Sequence, residues 1–241
     1  MSQSRSKNPA PQQPANRLPG VFSAVIVVLV LILVGAILLN RSGGESASVA
    51  PTAEPSVPGE VQATLPTATT YTFSAPPPLT IDPAKNYLAT IITPRGAVIV
   101  ELLPDIAPQT VNNFVFLARN NFYNGLTWHR VLPGFMAQGG DPSGDGTGGP
   151  GYSIPAEFTD QILFDQPGLL AMARSADPDS AGSQFFITTG AAPHLNSQYT
   201  IFGRVIEGQE IVNGIPLRDP QNPADLSRPG EMILGITISE E

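Results

Sequence analysis

The stretch WHRVLPGFMAQGGDP, from Trp128 to Pro142, decides the fold and raises the main functional question. It holds one arginine, Arg130, among large apolar residues and close to several glycines. Arginine is permanently charged, and a buried charge costs free energy unless another group pairs with it. The stretch therefore predicts one of two things: a structural ion pair, with Asp141 as the candidate partner, or an arginine that acts at an apolar site.

The composition excludes several classes of function. The 241 residues include no cysteine and only two histidines, so a disulfide framework, a thiolate nucleophile and a histidine-rich metal site are excluded. The net charge of −8 argues against a nucleic-acid partner, which usually meets a basic face. With 26 prolines and 23 glycines, long helices cannot dominate the chain.

Residues 21–39, VFSAVIVVLVLILVGAILL, contain no charge and predict one transmembrane helix in contact with the lipid bilayer. At 1.5 Å per residue the segment is roughly 28 Å long, close to the thickness of a bilayer core. It is apolar on every face, which disfavours a buried core helix. Three basic residues precede it, whereas only Arg41 follows it before Lys85. The positive-inside rule therefore predicts that residues 1–20 are a cytoplasmic tail and that the rest lies outside the cell membrane.

Residues 40–81 are rich in proline, serine, threonine and alanine and predict a disordered linker. Such a segment cannot bury enough apolar surface to offset the entropy of ordering it. A folded domain is then expected over residues 82–241.

Short segments rich in β-branched residues predict that this domain is mainly β. Residues 86–93 and 97–103 predict a hairpin across a Pro-Arg-Gly turn, and residues 232–239 predict a last strand. Five further apolar runs, WHRVL, FMAQ, LLAMA, QFFITT and YTIFGRV, lie between turn residues. A helix is predicted from Pro108 and a short second one within residues 208–215. Many strands with few helices indicate an antiparallel barrel or sandwich.

The glycine-rich run DPSGDGTGGPG, Asp141 to Gly151, invites metal and phosphate interpretations that fail. A calcium loop starting at Asp141 would need a glutamate at its twelfth position, where Tyr152 stands. The GxGxxG pattern neither follows a strand nor opens a helix. No GxSxG motif supports a serine hydrolase. The run therefore predicts a surface loop and no metal site.

Three segments together resemble the cyclophilins, a family of peptidyl-prolyl cis/trans isomerases. They are WHRVLPGFMAQGGDP, LLAMARSADPDSAGSQFFIT and PHLNSQYTIFGRVIEGQEIV, which follow the family order between Asn86 and Ile238. The resemblance implies a closed eight-stranded antiparallel β-barrel capped by two α-helices, with the active groove on its outer face. It implies no cofactor.

The resemblance also implies a set of site residues. Arg130 matches the catalytic arginine, and Gln138 matches a residue that hydrogen-bonds the substrate backbone and steadies that arginine. Gln184 matches a groove residue. The residues that match the pocket for the proline ring are Phe135, Met136, Phe186 and Leu195. Each of these four could be ordinary core on its own, and only the combined pattern favours a pocket.

Five further positions match substrate-binding sites of the family, with departures. Ala173 and Arg174 match the segment that pairs with the peptide main chain, where Arg174 replaces a common asparagine. His129 and Tyr199 stand at site positions, and Tyr199 replaces a frequent histidine. His194 stands where the best-known members carry a tryptophan that helps to bind cyclosporin, so we expect weaker inhibition by that drug.

The implied reaction is rotation about Xaa-Pro bonds, and the partners are proline-containing polypeptides. With the predicted anchor, we expect a monomeric enzyme that assists the folding of exported proteins. Two alternatives remain open at this point. One is a non-catalytic proline-peptide-binding or holdase chaperone module that uses the same groove, and the other is a membrane-anchored scaffold with a decayed site.

Overall fold

The structure, a computed structural model, describes residues 72–241. The predicted tail (1–20), the predicted transmembrane helix (21–39) and most of the predicted linker lie outside the described residues. Among the residues that are described, no helix is long and apolar enough to cross a membrane.

Eight strands form one antiparallel sheet, and each overlaps a segment that the sequence predicts to be extended. Their order across the sheet is β3-β4-β6-β5-β7-β2-β1-β8. The strands are β1 (Tyr87–Thr93), β2 (Gly96–Leu102), β3 (Arg130–Leu132), β4 (Met136–Gly139), β5 (Leu169–Met172), β6 (Phe185–Thr188), β7 (Ile201–Glu207) and β8 (Gly235–Glu240). The mainly-β, eight-stranded antiparallel prediction is therefore confirmed.

The predicted closure of the barrel is corrected to a curled sheet. Within residues 72–241, β3 and β8 are the two edges and no ladder joins them. The edges approach each other through the segments that precede these strands, where Thr127 and Met232 form a single bridge. The outer side of β3 is instead covered by Arg218, whose backbone exchanges hydrogen bonds of 2.8 and 2.9 Å with Val131.

The described chain has three α-helices, one more than predicted. They are α1 (Pro108–Arg119), α2 (Gln209–Asn213) and α3 (Pro223–Leu226). Proline opens α1 and α3, where its missing N–H costs nothing because the first helical N–H groups have no partner within the helix. Helix α3 has only four residues and no buried side chain, so no apolar periodicity announces it.

The main core lies between α1 and the sheet. Phe114 of α1 meets Phe185 of β6 edge to face, with ring centroids 5.5 Å apart, and Trp128 meets Phe185 in the same way at 5.6 Å. All three side chains are fully buried. A second, smaller apolar cluster forms on the other side of β4, β5 and β6 and includes Met136 and Phe186.

Residues 72–81, the end of the predicted linker, pack on the domain; we call them the strap. Asn112 of α1 is buried and clamps the strap, because its side-chain Oδ1 accepts hydrogen bonds from the backbone N–H groups of Thr80 and Ile81. Its Nδ2 donates to the carbonyl oxygen of Pro78. Phe73 packs edge to face on Phe116 of α1, with ring centroids 5.0 Å apart. The packed region therefore begins ten residues before the predicted boundary.

Candidate active site

The site starts from the register of three strands. Arg130 on β3 lies opposite Gln138 on β4, which in turn lies opposite Phe186 on β6. Residues directly opposite each other in antiparallel strands point to the same face of the sheet. The short β3–β4 hairpin thus brings the arginine of the opening stretch beside the smaller apolar cluster.

Arg130 has no carboxylate partner among the described residues. None of the four ion pairs found in residues 72–241 includes it. The carboxylate of Asp141, the predicted alternative partner, accepts hydrogen bonds from backbone N–H groups of its own loop. The guanidinium lies 6.0 Å from the centroid of the Phe135 ring, within cation–π range. The structural ion pair with Asp141 is therefore wrong.

Arg130 borders an open cavity of about 110 Å³, which we call the arginine cavity. Its floor is apolar and buried, and its rim carries the polar groups. An apolar cavity of roughly 150 Å³ holds a benzene ring, so this one has the scale of a pyrrolidine ring. The lining residues are Arg130, Phe135, Met136, Gln138, Ala173, Arg174, Phe186, Leu195 and Tyr199.

Two glutamines form a relay behind Arg130. Its Nη1 donates to Oε1 of Gln138 at 3.3 Å, and Nε2 of Gln138 donates to Oε1 of Gln184 at 2.9 Å. Nε2 of Gln184 then donates to the carbonyl oxygens of Gly146 and Gly148, at 3.0 and 2.9 Å. The relay fixes the orientation of both amides. It engages the guanidinium of Arg130 through a single hydrogen bond to an uncharged group.

The loop after β4 forms the wall of a second cavity of about 340 Å³, which we call the loop cavity. The sequence predicts only a surface loop here. The buried carboxylate of Asp141 holds the loop together, because it accepts hydrogen bonds from the backbone N–H groups of Ser143, Asp145 and Gly146. Gly140 has a φ of +80°, and a Cβ there would collide with the Ser183 carbonyl oxygen. One buried carboxylate thus organises the loop, and a glycine is required at position 140 where the loop approaches Ser183.

The two cavities adjoin, since Gln138, Ala173 and Arg174 line both. Gln184 lines the loop cavity only. The sequence misses the other residues of the loop cavity, which are mostly glycines and hydroxyl residues without a distinctive pattern. The available signal was the run Asp-Pro-Ser-Gly-Asp-Gly of residues 141–146, since aspartate and glycine are typical of turns stabilised by aspartate side chains.

The remaining predicted residues lie at the rim or outside the cavities. His194 is exposed, and its ring centroid lies 5.6 Å from that of Phe135. Tyr199 meets Phe186 edge to face at 5.7 Å. His129 lines neither cavity, because its side chain is only 4% exposed and adjacent residues of an extended chain point to opposite sides.

The surroundings of His129 disfavour its charged form. Burial lowers the pKa of its imidazole below the usual 6.5, and the charges of Arg130 and Arg218 act in the same direction. Asp141 and the Thr127 carbonyl favour the charged form, although neither ring nitrogen has a hydrogen-bond partner. Burial thus disfavours a second positive charge next to Arg130.

Residues 72–241 contain no group of three or more His, Cys, Asp or Glu side chains that could hold a metal ion. Both cavities are lined by neutral or cationic side chains. The arrangement can receive an apolar ring, present a guanidinium at its edge and hydrogen-bond a peptide along the rim.

Comparison with known proteins agrees with this geometry. The model of the family "Cyclophilin type peptidyl-prolyl cis-trans isomerase/CLD" matches residues 88–232, more than half of the chain. This chain belongs to the cyclophilin family. Among its relatives, peptidyl-prolyl cis-trans isomerase A of Mycobacterium tuberculosis is 47% identical over 154 residues, which cover 57% of this chain and 84% of that protein.

Two further relatives extend the comparison. Peptidyl-prolyl cis-trans isomerase B of Bacillus subtilis is 50% identical over 115 residues, 48% of this cyclophilin and 80% of that protein. A solved cyclophilin-type isomerase of Cryptosporidium parvum is 33% identical, with a TM-score of 0.58, and covers 65% of this chain and 99% of its own. That protein has also been solved in the presence of the dipeptide Ala-Pro. The predicted enzyme class, a peptidyl-prolyl cis-trans isomerase, is confirmed.

Proposed function

We propose that this cyclophilin catalyses rotation about Xaa-Pro peptide bonds through Arg130. Amide resonance opposes rotation with a barrier of ~18–20 kcal/mol. When the bond is half turned, the proline nitrogen becomes pyramidal and gains a lone pair that can accept a hydrogen bond. A fixed donor aimed at that nitrogen stabilises the twisted state more than either planar one, which is what lowers a barrier. No nucleophile or proton transfer is needed.

The observation that carries the proposal is a guanidinium without a carboxylate partner at the edge of a ring-sized apolar cavity. A guanidinium kept only for stability would normally be ion-paired, since an unpaired charge beside apolar groups is unfavourable. Here Arg130 has one described hydrogen bond, to a neutral amide. Its remaining donors are therefore free to serve a ligand in the cavity.

The other residues of the arginine cavity receive roles by their position. The apolar surface for the proline ring is formed by Phe135, Met136, Phe186 and Leu195. Gln138 steadies Arg130 and hydrogen-bonds the substrate backbone. Ala173 and Arg174 lie where the peptide main chain passes from one cavity to the other, and Tyr199 and His194 stand at the rim. His129 has no substrate-binding role in the proposal.

The direct experiment is NMR exchange spectroscopy on a short Xaa-Pro peptide with substoichiometric protein. Uncatalysed exchange takes ~10–100 s, so cross-peaks between the cis and trans signals at mixing times below one second require catalysis. Cross-peaks with the native protein support the proposal. Chemical-shift changes that report peptide binding without exchange cross-peaks would instead identify the non-catalytic binding or holdase module.

We further propose that residues 21–39 anchor the protein and that the isomerase domain, as a monomer, assists folding of exported proteins outside the cytoplasmic membrane. The support is the uncharged 19-residue segment and the excess of basic residues before it. Reporter fusions after residue 80 test this topology. Activity of an exported alkaline phosphatase fusion is expected, and a fluorescent cytoplasmic fusion would contradict it.

A further inference from the structure

Arg174 stands at the junction of the two cavities and is held there from three sides. Its Nε donates to the Gln198 carbonyl oxygen at 2.8 Å, and its Nη1 donates to the Ser175 carbonyl oxygen at 2.9 Å. The guanidinium carbon lies 4.7 Å from the centroid of the Tyr199 ring. The charge is therefore fixed in place on the wall that both cavities share.

The charge of Arg174 is not neutralised within the described residues. Carbonyl oxygens satisfy its hydrogen bonds, but they carry no net charge, and none of the ion pairs of residues 72–241 includes it. Neither cavity has an aspartate or glutamate in its lining. The groove thus contains two cations, Arg130 and Arg174, and no anion, in a protein whose net charge is −8.

The nearby acidic side chains line neither cavity, and each accepts hydrogen bonds from groups of the surrounding loops. Asp145 Oδ1 accepts from the backbone N–H and the hydroxyl of Thr147, which lowers its pKa. Asp177 Oδ1 accepts from the N–H of Asp179, and Asp179 Oδ1 accepts from the N–H of Ala156. These carboxylates belong to turns and do not face the guanidinium of Arg174 at ion-pair distance.

We propose that Arg174 makes the groove selective for substrates with an acidic side chain, aspartate or glutamate, within about three residues of the proline. This inference rests on the proposed function and names its substrate class. With the proline ring in the arginine cavity, neighbouring residues of an extended peptide cross the shared wall into the loop cavity. There an acidic side chain meets an unpaired guanidinium, whereas a lysine meets a like charge.

The expected effect acts on binding and not on the rotation step. A partly exposed ion pair contributes ~1 kcal/mol, equivalent to about a fivefold preference, and salt screens it. A role of Arg174 restricted to holding the loops 175–180 and 194–199 together would instead affect all peptides equally. Comparing acidic with neutral peptides separates these two roles. A purely structural defect would weaken the binding of both peptides alike and leave the ratio of their affinities unchanged.

The test compares matched peptides that carry glutamate, glutamine or lysine at each of the three positions before and after proline. Both NMR exchange and NMR titration are measured with the full chain, its Arg174→Gln and Arg174→Lys variants, and Arg119→Gln as a matched surface-arginine control. At one or more positions the native protein and the Arg119→Gln control should favour glutamate over glutamine by about fivefold. The preference should disappear in Arg174→Gln, persist in Arg174→Lys and weaken in 0.5 M salt.

Two results would overturn the inference: no preference at any position in the native protein, or a preference that Arg174→Gln retains. Its failure is distinguishable from failure of the proposed function. If no peptide shows exchange, the isomerase proposal fails, while the titration still reports the preference between glutamate and glutamine. If exchange occurs equally for all peptides, the isomerase proposal stands and this inference falls.

Discussion

Arg130 is positioned by a neutral amide where a carboxylate would have been the common choice. A carboxylate would bind the guanidinium more strongly, but it would also occupy its donors and offset its charge. The amide of Gln138 orients the arginine through one hydrogen bond of 3.3 Å and leaves the positive charge intact. In the proposed mechanism this unneutralised charge is what acts on the substrate, which would explain why the fold tolerates it beside apolar groups.

Gln184→Leu tests the relay that orients Arg130. The substitution removes the acceptor of Gln138 and the donor to the carbonyl oxygens of Gly146 and Gly148. We expect the exchange rate of a saturating peptide to fall about fivefold, since the Gln184–Gln138 hydrogen bond, which orients the amide that contacts Arg130, contributes ~1 kcal/mol. Gln184→Glu is the matched control for the loop contact, because a carboxylate still accepts from Gln138 but cannot donate to the loop. An unchanged rate in both variants would contradict the relay.

His129 predicts a pH dependence of stability. Its folded-state pKa is lowered below 6.5 by burial, so the unfolded chain takes up a proton in a range where the folded protein resists it. The free energy of unfolding should therefore be unaffected by this group above pH 6.5 and fall as the pH drops from 6.5 towards the folded pKa. The slope is at most about 1.4 kcal/mol per pH unit.

Urea unfolding of residues 72–241 at pH 7.5 and pH 5.5 measures this effect. His129→Phe keeps an aromatic ring and removes the proton, so its loss of stability between the two pH values should be smaller than that of the native sequence. His194→Gln, at the exposed histidine, is the control and should behave as the native sequence does. Equal pH dependence in all three proteins would show that His129 does not resist protonation.

At the scale of elements, the sequence predicts where the strands lie but not whether the sheet closes into a barrel. Runs such as Leu169–Met172 and Phe185–Thr188 are buried at every position and stand out as apolar segments between turn residues. Whether the barrel closes depends instead on which segment pairs with the outer side of the three-residue strand β3. That partner, Arg218, lies in a proline-rich loop without a strand pattern, so no local signal identifies it.

The strap is a second feature that the sequence did not predict. Its composition is typical of a linker and gives no sign of its specific contacts with the domain. Proline, serine and threonine predict linker over residues 72–81, yet Phe73 packs on α1 and its N–H donates to the Pro150 carbonyl oxygen at 2.8 Å. Pro150 also lines the loop cavity, so the strap adjoins the wall of the groove. Phe73, an aromatic residue within a polar segment, was the signal that could have revealed it.

Comparing residues 72–241 with residues 82–241 tests the strap. Loss of Phe73 exposes apolar surface on α1, and the buried side chain of Asn112 loses its partners. Together these changes should lower the free energy of unfolding by about 3 kcal/mol. Phe73→Ala in the longer fragment should account for roughly half of the loss. Equal midpoints of urea unfolding for both fragments would show that the strap contributes nothing to stability.

At the scale of the whole molecule, the site was more predictable than its surroundings. All residues that line the arginine cavity lie in the three motifs quoted from the sequence, and the fold brings these motifs together at one face. The loop cavity was not predictable, since it is built largely from backbone groups and small residues whose positions depend on the Asp141 carboxylate.

The central claim is that Arg130 favours the half-turned Xaa-Pro bond over the planar ones. The most direct measurement compares Arg130→Ala with the native protein in two quantities, the exchange rate of a saturating peptide and the dissociation constant of the same peptide, with Arg119→Ala as control. We predict that Arg130→Ala lowers the exchange rate by about 100-fold or more and changes the dissociation constant by less than about threefold. An exchange rate that stays near the native value, or a dissociation constant that rises by as large a factor as the exchange rate falls, would contradict the account.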